Sequence, residues 1–463
     1  MYNQRNLGDC FLLRFADSDS QSFLLIDFGS YEGVNKDREK EIAASIRDTV
    51  QGHPLKIVLT HQHKDHLTGF VTAASEMDEL NISELWMSYL DDPNGSKAIA
   101  VREMMNKYWN KNKELTKGIK KKFGRRSPVK NMLKAKEGYD LFAEHQRGGE
   151  AITNLLGWCN NNRRFLYPGD HFAMPDIPGG AVRVYALGPP LDTDMLKKMN
   201  PGKNDAVNGL NATSQLMNIG TSTDLLLSAL DLPGATGAGH SKPDSDFPFA
   251  KRFVHKASEK TIPTALQRSA YFRRDNAWRK IDHEWLSEAG RVALYMDTLT
   301  NNSSLVLAFE LVEQQKVLLF VGDAQIGNWK SWLDVKFKGC RKTAEELLSK
   351  TVLYKAGHHS SHNATLLESL NRMNTEDLVI MIPVNKRVSD SRGFAMLRPE
   401  MLMGYNRKSK GRVLRSDTVF HKTRATSSYQ YPFKDSVKDF DPPLRIKWDS
   451  GKKTPFYIEY DVK

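Results

Sequence analysis

The sequence predicts an α/β protein, with helices packed against sheets. Three observations carry that prediction. Strand-like and helical stretches alternate through the first ninety residues, the alternation resumes after residue 303, and six of the thirteen histidines sit just beyond apolar, strand-like runs.

The elements follow in order. CFLLRFA (10–16) and SFLLIDFG (22–29) read as two strands joined by the polar turn DSDSQ, a hairpin signal. In NKDREKEIAASIRDTVQG (35–52), Ile42, Ile46 and Val50 recur at helical spacing, and a glycine closes the run. KIVLT (56–60) is an expected buried strand, HLTGFVTAASEM (66–77) a helix and ISELWMSYL (82–90) another strand. From about 95 to 160 the pattern turns helical and basic, which reads as an insertion. VRVYALGPP (182–190) restores a strand before a second excursion over 191–292. That excursion holds the loop-like DLPGATGAGHSKPDSDFP and the basic-aromatic RSAYFRRDNAWRK; such Gly-, Pro- and Ser-rich sequence belongs to surface or lid segments. SSLVLAFELV (303–312), KVLLFVGD (316–323), TVLYKAG (351–357) and DLVIMIPV (377–384) then alternate with helices such as KTAEELLSK, and FYIEYDV (456–462) closes the series. No repeat recurs at a fixed period. The chain therefore reads as one domain over 1–463, with insertions at 95–160 and 191–292 and a C-terminal elaboration at 386–463.

Composition narrows the classes. At 40% hydrophobic and 26% charged, the 463 residues are ordinary for a soluble globular protein. No stretch approaches the roughly 18 uninterrupted apolar residues of a membrane span, and the first residues lack a signal-peptide profile. Cys10, Cys159 and Cys340 are odd in number and far apart, so reduced thiols and a cytoplasmic location are expected, not a disulfide framework or a cysteine zinc site. The formal charge of +12 is concentrated: Lys97 to Lys136 holds fourteen Lys/Arg against Glu103 and Glu114. A basic segment this dense attracts polyanions through phosphate neutralisation, or else forms a solvated helical face. GYNRKSKGRVLRSD (404–417) reads as a second basic loop, either binding surface or solvated turn. There is no phosphate-binding glycine loop and no redox pair.

The chemistry-bearing residues form clusters. In KIVLTHQHKDHLTGF, His61 and His63 lie two apart on an extended segment and can grip one ion from the same side. The chain then turns into a helix, where Asp65 and His66 can face a second ion. Imidazoles with a carboxylate are the ligand set of Zn²⁺, or of Mn²⁺ and Fe²⁺ in similar pockets. YKAGHHSSHNAT brings His358, His359 and His362 to another strand end, and LLFVGDAQ places Asp323 at a third. Ser360 and Ser361 have no acid–base pairing of their own, so metal ligation explains the neighbouring histidines better than a serine nucleophile does.

GDCFLLRF, LLIDFGS, VLTHQHKDHLTGF, NNSSLVLAFEL, LLFVGDAQIGNW and YKAGHHSSHNATL, spanning about residues 8 to 385, resemble the metallo-β-lactamase fold hydrolases. Within that superfamily they are most similar to the competence-protein (ComEC-like) branch and to a group of large bacterial members with aromatic-rich segments such as LWMSYLDDP and DAQIGNWKSW. The resemblance implies an αβ/βα four-layer sandwich with a dinuclear metal site along one edge, zinc first and manganese or magnesium as alternatives. His61 and His63 would hold the first ion, Asp65 and His66 the second, and Asp323 would bridge them. His358 would complete the second shell, with His359 as the alternate. Asp27 would orient a ligand histidine. One departure stands out: where the family usually has a further first-ion histidine, this chain reads TNNSS, with Asn301 or Asn302 in its place.

The activity so implied is a metal-dependent phosphodiesterase or nuclease acting on DNA. Asp65 would orient or deprotonate the nucleophile, and His359 or His362 would meet the developing charge. Lys120, Lys121, Lys122, Arg125 and Arg126 would bind phosphates, with Tyr108 and Trp109 either stacking or packing in a helix core. Two other expectations compete: hydrolysis of a small phosphodiester, nucleotide signal, lactone or amide, and a partner-gated subunit of a bacterial defence complex. In the latter case the 191–292 excursion would be a gating lid or a plain surface elaboration.

Overall fold

The computed structural model describes residues 1–17, 19–31, 36–107, 110, 145–198, 298–361, 363–374, 376–392, 396–417, 444–451 and 454–462. The chain divides into two compact units, one of Met1–Met105, Asp140–Ser214 and Tyr295–Lys463, the other of Asn106–Tyr139 and Gln215–Leu294. The second falls almost wholly within the two expected insertions. All elements described below belong to the first.

β1 (Cys10–Ala16), β2 (Gln21–Phe28), β3 (Leu55–Val58), β4 (Ile82–Ser88) and β5 (Arg163–Leu166) form a five-stranded sheet in that order. β1 and β2 are antiparallel and the remaining pairs parallel. The second sheet runs β6 (His171–Ala173), β7 (Val182–Gly188), β8 (Val306–Leu311), β9 (Lys316–Phe320), β10 (Thr351–Lys355), β11 (Val379–Ile382) and β12 (Val413–Arg415). It is antiparallel as far as β9 and parallel from β9 to β12. This is the mixed α/β architecture that the alternating pattern predicts.

The sheets pack face to face. Phe11, Leu13, Phe15, Leu24 and Ile26 from the first share one apolar cluster with Val184, Leu307, Phe309, Phe320 and Met381 from the second. The Phe11 and Phe320 rings meet edge-on at 5.5 Å. Each fully buried side chain of this kind contributes about 1.5–3 kcal/mol. The outer face of the first sheet is covered by helix Lys36–Val50 through Ile42, Ala43, Ile46 and Val50, and by helix His145–Trp158 through Ala151 and Leu155. Helices Ile326–Ser331, Ala344–Ser349 and Pro399–Lys408 cover the outer face of the second through Trp329, Leu347 and Met401. Because both faces of each sheet are covered, central strands such as β2 read as continuous apolar runs.

Three sequence expectations change. The helix expected over 66–77 is split into Lys64–Leu67, Gly69–Thr72 and Ala74–Asp78. Thr68 between the first two keeps helical dihedrals, its hydroxyl donating to Glu39 Oε1 (2.7 Å) and accepting from the Ser30 N–H (2.7 Å), whereas Ala73 (φ −111°, ψ 30°) breaks the helix between the second and third. The basic loop expected at 404–417 is instead the end of helix Pro399–Lys408, a turn and β12; buried Tyr405 and Leu414 anchor it. Finally, β5, β6, β12 and the hairpin strand β13 (Arg445–Trp448) were not anticipated, being three or four residues long and without alternation.

β13 pairs with β14 (Pro455–Glu459), and this hairpin reaches the start of the chain by a bridge between Tyr2 and Tyr457. Beneath it lies fully buried Arg38, which donates to Asp449 Oδ1 (2.7 Å) and to the carbonyls of Asn3 (2.7 Å) and Phe456 (3.3 Å). Its guanidinium stacks 4.1 Å from the Phe456 ring centre. Cys10, Cys159 and Cys340 are free thiols. Among the described residues, no helix is long and apolar enough to cross a membrane.

Candidate metal centre

Parallel pairing of β2 with β3 and of β9 with β10 brings four strand ends together with the start of antiparallel β1. Asp27 stands at the end of β2, His61 to His66 follow β3, Asp323 follows β9, and His358 and His359 follow β10. Asp9 immediately precedes β1, and its N–H donates to the Asp65 carbonyl (3.0 Å), tying the two segments together. Two glycines make the approach possible. A Cβ on Gly29 would lie 2.5 Å from the Leu67 nitrogen and 2.6 Å from the Lys64 carbonyl oxygen, so only glycine lets the short helix carrying His66 rest on β2. Gly322 (φ +52°) takes a left-handed turn where a Cβ would lie 2.8 Å from Thr60.

The hydrogen bonds fix which ring nitrogens face inward. Asp27 accepts the Thr60 N–H at Oδ1 (2.8 Å) and the Thr60 hydroxyl at Oδ2 (2.7 Å). With its one proton committed there, Thr60 Oγ1 accepts from His61 Nδ1–H (3.0 Å), which leaves the His61 Nε2 lone pair free. That Nε2 lies 3.0 Å from His63 Nδ1. Two nitrogens on a tetrahedral zinc would stand about 3.3 Å apart, so the pair is spaced to grip one ion.

The adjoining group begins 4.2 Å away, the separation of the His61 and His66 ring centres. His66 Nδ1–H donates to Asp27 Oδ2 (2.7 Å), a carboxylate backing that aims Nε2 the other way. His66 Nε2 faces Asp323 Oδ2 (3.3 Å) and Asp65 Oδ2 (3.8 Å) but has no hydrogen-bond partner. His359 Nδ1–H is held by the Pro383 carbonyl (2.6 Å), and its Nε2 meets Asp65 Oδ2 (2.8 Å). Asp65 Oδ1 is buried and likewise without a partner. Such orphaned atoms cost about 1–3 kcal/mol each unless something binds them. Asp9, His66, Asp323 and His359 offer ligand-type atoms all within 4.8 Å of one another, every residue buried, so this group can hold a metal ion. Asp9 differs from the other three. Its carboxylate oxygens lie 3.8 Å from Nδ1 of His66 and of His359, nitrogens already bonded elsewhere, so it sits behind the rings.

His359, rather than His358, is the member of the doublet that meets Asp65. The His358 N–H donates to Asp323 Oδ1 (3.1 Å), while its ring Nδ1 faces Ser361 Oγ (3.0 Å) and Gln325 Nε2 (3.3 Å). The turn that swings His359 inward is strained: His358 (φ 39°), His359 (φ 47°) and Ser360 (φ 65°) are three successive non-glycine residues in the left-handed region. Each costs of order 1–3 kcal/mol. The turn is pinned by bonds from Leu397 N–H to the His359 carbonyl and from Arg398 N–H to that of Ser360. Asn302 is spent on architecture. Its Oδ1 accepts from the backbone of Gln325 and Asn328, and its Nδ2 donates to the Leu196 and Lys198 carbonyls, which leaves no atom for an ion. Asn301 is buried beside it. His362, Tyr108, Trp109, Lys120, Lys121, Lys122, Arg125 and Arg126 lie outside the described residues.

Sequence reasoning missed Asp9 and Lys355. Lys355 ends β10, whose five residues TVLYK are all buried, and its ammonium meets Asp9 and Asp323. The available signals were a second Gly-Asp step ahead of β1 and a lone charge closing an apolar strand.

Electrostatics divides the histidines. Burial and its histidine neighbours hold His61 well below the usual imidazole range, and burial pushes His63 down to about 4. Both rings are therefore uncharged at neutral pH, as metal ligation requires. His66 goes the other way: burial opposes its charge, but Asp323, Asp27 and Asp65 outweigh it and raise it well above normal. His359 is also raised, its bond to Asp65 overcoming burial. In the ion-free pocket, protons on these two rings balance the carboxylates. Their folded-state values exceed the unfolded value near 6.5, so the stability they supply is full below that pH and is lost as pH rises through the raised values. Chelated protein is thus expected to melt progressively lower as pH rises above the ordinary imidazole value near 6.5, whereas metal-loaded protein holds its midpoint and metal affinity climbs with pH. Thermal denaturation with and without chelator checks this; parallel curves would contradict it.

Comparison with protein-family models, curated proteins and solved structures gives no match to this chain.

Proposed function

We propose that the chain is a metal-dependent hydrolase of the metallo-β-lactamase fold, with αβ/βα layering, that cleaves phosphodiester bonds in DNA at a dinuclear centre. Zinc is the first candidate ion. The observation carrying this reading is the pair of adjoining ligand groups: His61 Nε2 with His63 Nδ1, and His66 Nε2 with Asp65, Asp323 and His359. The residues fit divalent ions because their inward atoms are imidazole nitrogens and carboxylate oxygens, with His66 Nε2 and Asp65 Oδ1 buried and without a hydrogen-bond partner.

Ions bound there supply Lewis acidity toward a water and toward phosphate oxygens. The chain's own residues do the rest. Asp27 and Thr60 fix the tautomers of His66 and His61, and the Pro383 carbonyl fixes that of His359. Asp65 Oδ1 has no other partner and is the atom placed to orient a nucleophile and take its proton. A nucleic-acid substrate is favoured by the net +12 concentrated between Lys97 and Lys136.

Metal analysis coupled to a cleavage screen on single- and double-stranded DNA and RNA, with Zn²⁺, Mn²⁺ and Mg²⁺, tests the reading. Cleavage should be lost in the His61→Ala/His63→Ala variant and should weaken steeply with added salt. Intact nucleic acid under every ion would refute the substrate. Turnover of a small phosphodiester insensitive to salt would move the activity to that class.

A further inference from the structure

Lys355 is nearly fully buried and ends β10 against the centre. An ammonium has three N–H donors, and here three acceptors take them: Asp9 Oδ2 (2.5 Å), the Gly322 carbonyl (2.5 Å) and Asp323 Oδ1 (3.2 Å). The side chain is thus locked, with no donor left for a substrate. Asp323 Oδ1 also accepts the His358 N–H (3.1 Å), so both of its lone pairs are committed and only Oδ2 faces His66 Nε2. Asp9 completes the unit as the counter-charge that makes a buried lysine tolerable.

We propose that Lys355, braced by Asp9, is a positioning residue that fixes Asp323 so that it presents a single oxygen, Oδ2, to the metal. The proposal rests on the metal-centre reading above. It is a claim about the ligand's orientation and not about charge, and the two make opposite forecasts. Coulomb's law alone says that removing a cation beside a metal site tightens metal binding. Loss of an outer partner that aims a ligand instead weakens it by about 10–100-fold.

Two variants separate these effects. Lys355→Met removes the lock and leaves Asp9 alone; Asp9→Asn/Lys355→Met removes the pair and keeps the pocket's net charge, which guards against misfolding from an uncompensated carboxylate. Calorimetric titration of the chelated full chain with Zn²⁺ and with Mn²⁺, after circular dichroism confirms folding, reads affinity and stoichiometry without reference to activity. The expected result is about 10–100-fold weaker binding in both variants. Affinity tighter than wild type, or within about threefold of it, in the double variant would overturn the positioning role while leaving the metal reading intact. A wild-type chain that binds neither ion would overturn both.

Discussion

On the proposed metallohydrolase reading, Asp323→Ala is expected to empty the second ligand group and abolish hydrolysis. Its carboxylate touches His66 Nε2, Lys355 and the His358 N–H together. Removing it takes away an ion ligand and the anchor of the strained histidine turn at once. Lewis-acid stabilisation of a phosphoryl transition state is worth several kcal/mol, so activity should fall by at least about a thousandfold. Metal affinity should fall by more than the roughly 100-fold that bounds loss of an outer partner. Metal content after dialysis and single-turnover cleavage are the measurements. Retention of a full complement of ions by the variant would remove Asp323 from the ligand set. The fold should survive in the chelated state, because Lys355 keeps Asp9 and the Gly322 carbonyl.

Asp449→Ala is expected to destabilise the protein by up to about 3–5 kcal/mol, the cost of removing the buried partner of a buried charge. Arg38 has no exposed side-chain surface, and burial lowers its pKa, but a guanidinium stays charged at any ordinary pH. The two carbonyls and the Phe456 ring that also contact it cannot neutralise it, and the half-exposed Glu41 carboxylate, 3.3 Å away, does so only in part because water screens it. Urea denaturation gives the value, and a loss under about 1 kcal/mol would contradict the account. Replacing both partners, as in Arg38→Met/Asp449→Leu, should recover much of the loss, since apolar replacement of a buried pair is often neutral.

What could be read from the sequence depended on how local each signal was. HQHKDH, GD at 322–323 and HH at 358–359 were legible because each packs its chemistry into a few residues after an apolar strand. Which histidine of the doublet turns inward was not, because that depends on three left-handed residues pinned by Leu397 and Arg398. Asp9 and Lys355 stand 346 residues apart and gain meaning only when the sheets meet; alone, each reads as an ordinary charge beside a strand. Asn302 shows the converse. Its position suggested a ligand's place, yet its four bonds to backbone groups make it a hub for the chain around Gln325. The alternating pattern gave the long central strands, whereas the short edge strands β5, β6 and β12 have too few residues to show a period.

The two ligand groups come from opposite sheets: His61, His63, Asp65 and His66 from the loop after β3, Asp323 and His359 from the ends of β9 and β10. Neither sheet owns a complete site. A chain with all its helices and strands formed but its sheets undocked would give a native far-ultraviolet spectrum and offer an ion only the loop after β3, without Asp323 and His359. On the proposed reading, high-affinity metal capture would therefore report a late event in maturation, and an ion arriving early in synthesis would find only half a claw.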